Sequence, residues 1–398
     1  DGEVGMHLAE ALEHGDHNIT IVDPHEELLK MIESQSDLMT IIGDSTSIKV
    51  LQQANVKKAD LVIAVLHDEH INLLTGILAK KLGAKKVIVR VNTMENLSKE
   101  SWRIYQDLGI DGIVSPEDIA AQEIINLLKQ NVATEAHDFA GGKLELLMIK
   151  LEPNAIVINK TLEEIIENYK HIDFRALAIH RRQNTFIPKA HDVFLEGDLV
   201  YVITKPHAIK ELMQLSGKTK FNINNVMIVG GSRVGKLTAK RLENDLNMKN
   251  IEQNKERSFE LTNLLSNTLV VNADARNVDL LEDEGIKDMD AFIAVTDNTE
   301  TNILTCLQAR SFGVKRTIAM VENIDYIDIS QNIGIDTIIN KKLIAASYMV
   351  RYTLGSNVSS LKCLSGIDAD IVEFIVRDGA AVTEKTINRL NMPEGAII

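Results

Sequence analysis

Six blocks of this sequence recur in the same order about 230 residues apart, and this duplication constrains the fold more than any other feature. "DGEVGMHLAEAL" at 1–12 matches "GSRVGKLTAKRL" at 231–242, "ITIVDP" at 19–24 matches "MKNIEQ" at 248–253, and "TIIGDS" at 40–45 matches "VVNADA" at 270–275. "ADLVIAVLHDEHINLLT" at 59–75 then matches "MDAFIAVTDNTETNILT" at 289–305, and "KKVIVRVN" at 85–92 matches "KRTIAMVE" at 315–322. "LGIDGIVSPEDIAAQEI" and "IGIDTIINKKLIAASYM" close the series. Whatever one half folds into, the other must fold into as well.

Each copy alternates short Val/Ile-rich runs with amphipathic stretches such as "HINLLTGILAKKLG" at 70–83. Buried strands alternating with covering helices predict an α/β fold, a doubly wound parallel sheet in each copy. The strand that should precede the first glycine turn is absent before Asp1, which we read as a truncated start. Between the copies, "GKLELLMIKLEP", "TLEEIIENYK", "FRALAIHRRQNTFIP" and "LEGDLVYVIT" predict a small α+β module, and "ADIVEFIVRDGAAVTEKTINRL" resembles its beginning after the second copy. The expected division is 1–133, a first nucleotide-binding domain lacking its first strand; 134–217, a small domain; 218–355, a second nucleotide-binding domain; and 356–398, a second, incomplete small domain.

The length of 398 residues suits two to four domains. A net charge of −14 argues against a general nucleic-acid binder, which needs a basic footprint. Two cysteines without a CxxC pair disfavour a disulfide framework or a structural zinc site and suit a reducing compartment. No apolar run reaches the roughly 20 residues that span a bilayer. The expectation is a soluble, cytoplasmic chain whose only membrane link runs through a partner.

"IVGGSRVGKLTAKRL" at 228–242 poses the chemical question. Gly230 to Lys236 satisfies G-x-x-x-x-G-K, yet Leu237 stands where a phosphate loop needs Ser or Thr to hold magnesium, and the first copy has Met6 in place of the lysine. A dinucleotide turn fits better. It requires a strand, a glycine turn, a helix, a second strand and an acid about 20 residues on. Asp23 closes "ITIVD" and Glu252 closes "MKNIE", each placed to accept hydrogen bonds from ribose hydroxyls and to repel a 2′-phosphate. Gly5 and Gly235 let helix and strand pack closely, while backbone N–H groups of the turn and the helix N-terminus hold phosphates. Ser232 stands where a second glycine would allow closest approach in the second copy, so one copy being a structural remnant remains the alternative.

These blocks resemble the regulator-of-potassium-conductance (RCK) family, through GEVG and GSRVG, Asp23 and Glu252, "GDST", "AVLHDEHIN", "AVTDNTETN" and the "ADIVEFIV…MPEGAII" ending. The resemblance implies a subunit without a catalytic role, assembled as a cytosolic ring, a tetramer for tandem modules, beneath a potassium-translocating membrane subunit. Nucleotide binding would reshape the ring and gate the pore. Carried over by motif, first-copy contacts would come from Asp1, Gly2, Glu3 and Val4 at the phosphates, Asp23 at the ribose, Asp44, Leu66 and His67 on the adenosine side, and Arg90. Second-copy contacts would come from Gly230, Gly231, Ser232, Arg233, Val234, Glu252, Asp274, Thr296 and Asp297, with Met320 replacing Arg90. Glu3 corresponds to Arg233, which predicts NAD(H) in the first site and readier acceptance of ATP or ADP in the second.

Other chemistry is weaker. His67-Asp68-Glu69-His70 has metal-ligand spacing, but the second copy reads Asp297-Asn298-Thr299-Glu300, so a helix-start acidic cap is preferred and no metal is expected. His180-Arg181-Arg182 reads as an exposed hairpin turn, and Cys306 as a core residue. "TIINKKLIAASYMV" reads as an amphipathic helix, its apolar face expected against a partner subunit. The runner-up function is an NAD-dependent oxidoreductase, which would need a proton donor beside the nicotinamide. The small module offers no such constellation.

Overall fold

The computed structural model describes residues 3–13, 17–35, 38–93, 95–129, 135–181, 184–217, 221–350, 352, 358–363, 370–390 and 398. The first copy holds α1 (Glu3–Glu13), β1 (Thr20–Asp23), α2 (Glu26–Gln35), β2 (Met39–Ile42), α3 (Ile48–Gln53), β3 (Leu61–Ala64), α4 (Glu69–Leu82), β4 (Lys86–Arg90), α5 (Lys99–Asp107), β5 (Gly112–Val114) and α6 (Pro116–Lys129). Its strands form two sheets, β1-β2 and β3-β4-β5, all paired in parallel.

The small module follows as β6 (Glu135–Phe139), β7 (Leu144–Lys150), α7 (Leu162–Asn168), β8 (Phe174–Arg181), β9 (Asn184–Phe186), β10 (Leu199–Thr204) and α8 (Ile209–Leu215). Its antiparallel sheet, ordered β6-β7-β10-β8-β9, buries Leu147, Ile149, Ile179 and Val200 against Ile165 of α7 and Leu212 of α8. A capping box starts α7: Thr161 accepts from the Glu164 N–H while the Glu164 carboxylate accepts from Thr161. His180 and Arg181 do not form the turn itself but the last pairs of a β8–β9 hairpin, opposite Thr185 and Asn184. Both lie in β8, where His180 is buried against Thr185 and Arg181 donates twice to Asp198 at 2.7 Å. Asp198 is itself buried, so the ion pair fixes β8 to the start of β10, and the chain reverses only after Arg181. Arg182 lies outside the described residues.

The second copy runs β11 (Asn225–Val229), α9 (Arg233–Leu242), β12 (Asn247–Glu252), α10 (Lys255–Leu264), β13 (Thr268–Asn272), α11 (Val278–Asp283), β14 (Ala291–Ala294), α12 (Thr299–Ser311), β15 (Arg316–Met320), α13 (Asp325–Asn332), β16 (Thr337–Ile339) and α14 (Lys341–Val350). Its six strands make one parallel sheet in the order β13-β12-β11-β14-β15-β16. Strand order reverses beside β11, which creates the crevice where ligands of open α/β sheets bind. The central strands read as unbroken apolar runs because helices cover both faces; Val226, Met227, Ile228, Phe292 and Ile293 are all fully buried. Cys306 is buried there too, its Sγ donating to the Ile318 carbonyl at 3.4 Å, and burial raises its thiol pKa strongly. Beyond α14, β17 (Val358–Cys363) pairs with β18 (Asp370–Phe374).

The chain divides into two compact units, 1–120 with 341–363 and 121–340 with 364–398. Helix α14 thus continues the second copy in sequence but belongs to the first in space. Ala345, Ala346 and Met349 bury against Val4 and Leu8 of α1 and against Ile88 and Val114 of the first copy's strands. Its apolar face was expected to meet another subunit; it meets the other half of its own chain instead. Lys86 Nζ lies 5.2 Å from the centre of the Tyr352 ring, and a Cβ on Gly112 would come within 3.1 Å of the Tyr352 hydroxyl.

Candidate nucleotide-binding clefts

In the second copy the turn after β11 is shaped by three glycines with different tasks. Gly230 adopts φ +104°, and a Cβ there would stand 2.9 Å from the Thr296 nitrogen, so glycine is required both by conformation and by packing. A Cβ on Gly231 would come within 2.8 Å of Glu252 Oε2. A Cβ on Gly235 would run into the carbonyl oxygen of Gly230, which is the close helix–strand approach the sequence pattern demands. Ser232 caps α9 by accepting from the Gly235 N–H at 3.3 Å. Val234 is buried, whereas Arg233, the first residue of the helix, extends to solvent beside the N-terminus. Lys236 lies 3.6 Å from Glu260 of α10 and Leu237 is buried, so neither side chain is arranged as in an ATP-hydrolysing loop.

Glu252 ends β12, buried, with its carboxylate turned back onto the glycine turn. Oε2 accepts from the Gly231 N–H at 2.5 Å and Oε1 from the Asn254 N–H at 2.6 Å. The acid and the turn, separated by 21 positions, are in direct contact. Asp274 accepts from the Arg276 N–H at 2.9 Å and from its guanidinium at 2.7 Å, and these bonds hold its pKa below the usual carboxylate value. Asp297 pairs with Arg257 at 3.0 Å, which raises the arginine's pKa. Thr296 donates from N and Oγ1 to the Asn302 side chain at 2.9 and 2.6 Å.

The first copy repeats this skeleton. Asp23 ends β1, buried, accepting at Oδ1 from the His25 N–H and lying 2.8 Å from its Nδ1. Asp44 accepts from the Thr46 N–H and hydroxyl at 2.8 and 2.7 Å, the hydroxyl first in lowering its pKa. Leu66 is half-buried and His67 exposed. Val4 is buried in α1, which packs it against the sheet. Asp1 and Gly2 lie outside the described residues. Arg90 is buried at the end of β4, donating to Asn92 at 3.2 Å and pairing with Glu117 of α6 at 3.4 Å. Met320, its counterpart, is buried and apolar.

Two further features organise the clefts. Asn72 and Asn302, fully buried in the first turns of α4 and α12, clamp the loop that precedes each helix. Asn72 accepts from the Leu66 N–H and donates to the Leu66 and Arg90 carbonyls; Asn302 accepts from Thr296 and donates to the Thr296 and Met320 carbonyls. They are identical residues within matching blocks, a signal present in "HIN" and "ETN". Glu69 and Thr299 play a second paired role. Glu69 turns inward to accept from Asn92 and Thr93, and the Thr299 hydroxyl accepts from Glu322. Burial raises the Glu69 pKa, but those N–H donors outweigh it and the net shift is downward. Among the described residues, no group of three or more His, Cys, Asp or Glu side chains is placed to hold a metal ion.

The TrkA-N domain model matches residues 2–116 and again 226–341, and the TrkA-C domain model matches 146–217. The chain belongs to the TrkA family. A Trk system potassium uptake protein TrkA homolog of Archaeoglobus fulgidus is 30% identical over 398 residues, covering 100% of this chain and 89% of that protein. Among solved structures, the GsuK RCK domain superposes with a TM-score of 0.61 at 18% identity, covering 87% of this chain and 73% of its own. The GsuK channel bound to NAD gives 0.61 at 19%, covering 88% and 61%, and GsuK bound to ADP gives 0.55 at 14%, covering 88% and 66%. At these identities the likeness establishes the RCK-type fold. The TrkA-family relatives are named for a transport system, and the described residues include no helix long and apolar enough to cross a membrane.

Proposed function

We propose that this chain is the cytosolic regulatory subunit of a potassium uptake system, and that its two clefts bind adenine nucleotides, NAD(H) in the first and ATP or ADP more readily in the second. Ligand binding reshapes a ring of these subunits, a homotetramer, which gates a TrkH-like potassium-translocating membrane subunit held at the inner face of the cell membrane. The observation that carries the reading is the contact between Glu252 and the Gly231 N–H at the point where strand order reverses. A buried carboxylate beside an open glycine turn suits a ribose diol next to a pyrophosphate. The relatives' transport-system names and the NAD and ADP complexes of a similar fold support it.

Ring assembly draws support from exposed apolar residues at matching positions in the two copies. Leu74, Ile104 and Leu108 on and beside α4 and α5 correspond to Leu304, Ile329 and Ile333 on and beside α12 and α13, all exposed. Duplicated apolar exposure suits surfaces that meet equivalent surfaces. The physics of gating is linkage: a nucleotide shifts the ring only by binding one shape better. A differential of about 1–2 kcal/mol per site, multiplied over a symmetric ring, supplies the several kcal/mol that opening a pore requires.

The test is potassium flux through the membrane subunit in proteoliposomes, with this chain added and NADH, ATP or ADP supplied in turn. The expected result is flux that differs between nucleotides and loses that difference with Asp23→Ala plus Glu252→Ala. Flux indifferent to all three nucleotides, or steady NADH consumption coupled to reduction of a metabolite, overturns the reading.

A further inference from the structure

The two clefts also differ at a position that no glycine or acid motif marks. The third residue of α2 is Leu28 and the third residue of α10 is Arg257. Leu28 is half-buried with His67 exposed in the same copy; Arg257 is exposed and its Nη1 bonds Asp297, the counterpart of His67, at 3.0 Å. The surroundings of Arg257 locate it. Leu261, one helical turn further along α10, has its Cδ1 2.7 Å from where a Gly231 Cβ would be. Thr296, the neighbour of Asp297, packs against Gly230. Glu252 and Glu260 add to the negative field felt by the guanidinium. Arg257 therefore ties the first turn of α10, just after β12, to the loop after β14, across the crevice at the switch point where ligands of such sheets bind.

We infer that Arg257 is a ligand-contacting, specificity-determining residue of the second cleft, its guanidinium plane held by Asp297 as a platform for the adenine ring. The inference rests on the nucleotide-binding reading above. Side chains that offer a flat or apolar surface suit a base; Leu28 supplies the apolar version in the first copy and Arg257 the planar, charged one in the second. The charge has a further effect. Around the second cleft, Arg257 and Arg276 offset Asp297 and Asp274, whereas the first cleft carries Asp44 with Thr46 and no arginine at either matching position. A di- or triphosphate meets less repulsion in the second cleft, and Arg257 accounts for part of that difference. Because the side chain is 49% exposed, exchanging it leaves folding intact.

The experiment is calorimetric titration of the full chain carrying Asp23→Ala, which removes the first cleft's ribose contact, with ADP as the probe. Arg257→Leu and Arg257→Lys are each expected to weaken ADP binding fivefold or more, since lysine keeps the charge but not the plane. The reciprocal Leu28→Arg, in a chain carrying Glu252→Ala, is expected to tighten ADP binding at the first cleft about threefold. ADP affinity within twofold of the parent for Arg257→Leu, or full affinity for Arg257→Lys, overturns the assignment of Arg257 alone. Absence of ADP and NADH binding in the unmodified chain overturns the nucleotide-binding reading with it.

Discussion

Around the expected ligand position, the first cleft carries Asp23, Leu28, Asp44 and His67, and the second carries Glu252, Arg257, Asp274 and Asp297. In both, the acid that ends the second strand of the motif is buried and takes the N–H two residues on, and a buried asparagine ties down the opposite loop. What has diverged is what surrounds that skeleton: a hydroxyl cap on Asp44 has become an arginine fork on Asp274, and the apolar Leu28 has become the ion-paired Arg257. Duplication has kept the side-chain hydrogen bonds that tie backbone segments together and let the exposed side chains around them diverge.

Breaking the shared skeleton gives the largest effects. Gly235→Val drives a branched side chain into the Gly230 carbonyl and is expected to cost about 3 kcal/mol and to abolish nucleotide binding in the second cleft while sparing the first. Thermal melting and a two-site titration check it. Asn302→Leu leaves the half-buried Thr296 and buried Met320 carbonyls without their donor, for a loss of about 2–3 kcal/mol, and Asn72→Leu does the same to Leu66 and Arg90. Denaturant unfolding would show comparable losses; a large loss from one and none from the other would end the claim of a common skeleton.

Functional asymmetry should follow at smaller scale. Asp23→Ala is expected to weaken NADH about tenfold at the first cleft and Glu252→Ala to weaken ADP about tenfold at the second, each about 1.4 kcal/mol and each sparing the other cleft, read by calorimetry. The smallest effect concerns acid stability. The Glu69 pKa lies below its ordinary 4.5, so its contribution is present above that value and is lost as pH falls through the lower folded value. Glu69→Gln should cost about 1 kcal/mol at pH 7 and flatten the acid side of the stability profile. Thr299→Ala, which removes a neutral acceptor at the matching site, should leave that side unchanged.

Much of this was legible in the sequence, for identifiable reasons. Parallel strands covered on both faces must be apolar throughout, so β11 and β14 announce themselves, and Gly230 and Gly235 are forced by backbone contacts that no other residue permits. Glu252 was readable because its distance from the turn is set by one strand–helix–strand unit. Arg257 was not, because it occurs in one copy only and its meaning depends on Asp297, 40 positions away. His180 and Arg181 misled because charged residues at a strand end look like a turn until their partners, Thr185 and the buried Asp198, are known. Helix α14 was recognised by its apolar face, but periodicity states that a face is covered and never by what.

That exchange of α14 has a practical corollary for anyone dissecting the molecule. A fragment ending before Lys341 strips the cover from Val4, Leu8, Ile88 and Val114, so the N-terminal half made alone would expose a bare apolar surface and associate with whatever could shield it. The halves are tandem on paper but cannot be cut apart at any point between them without wounding one.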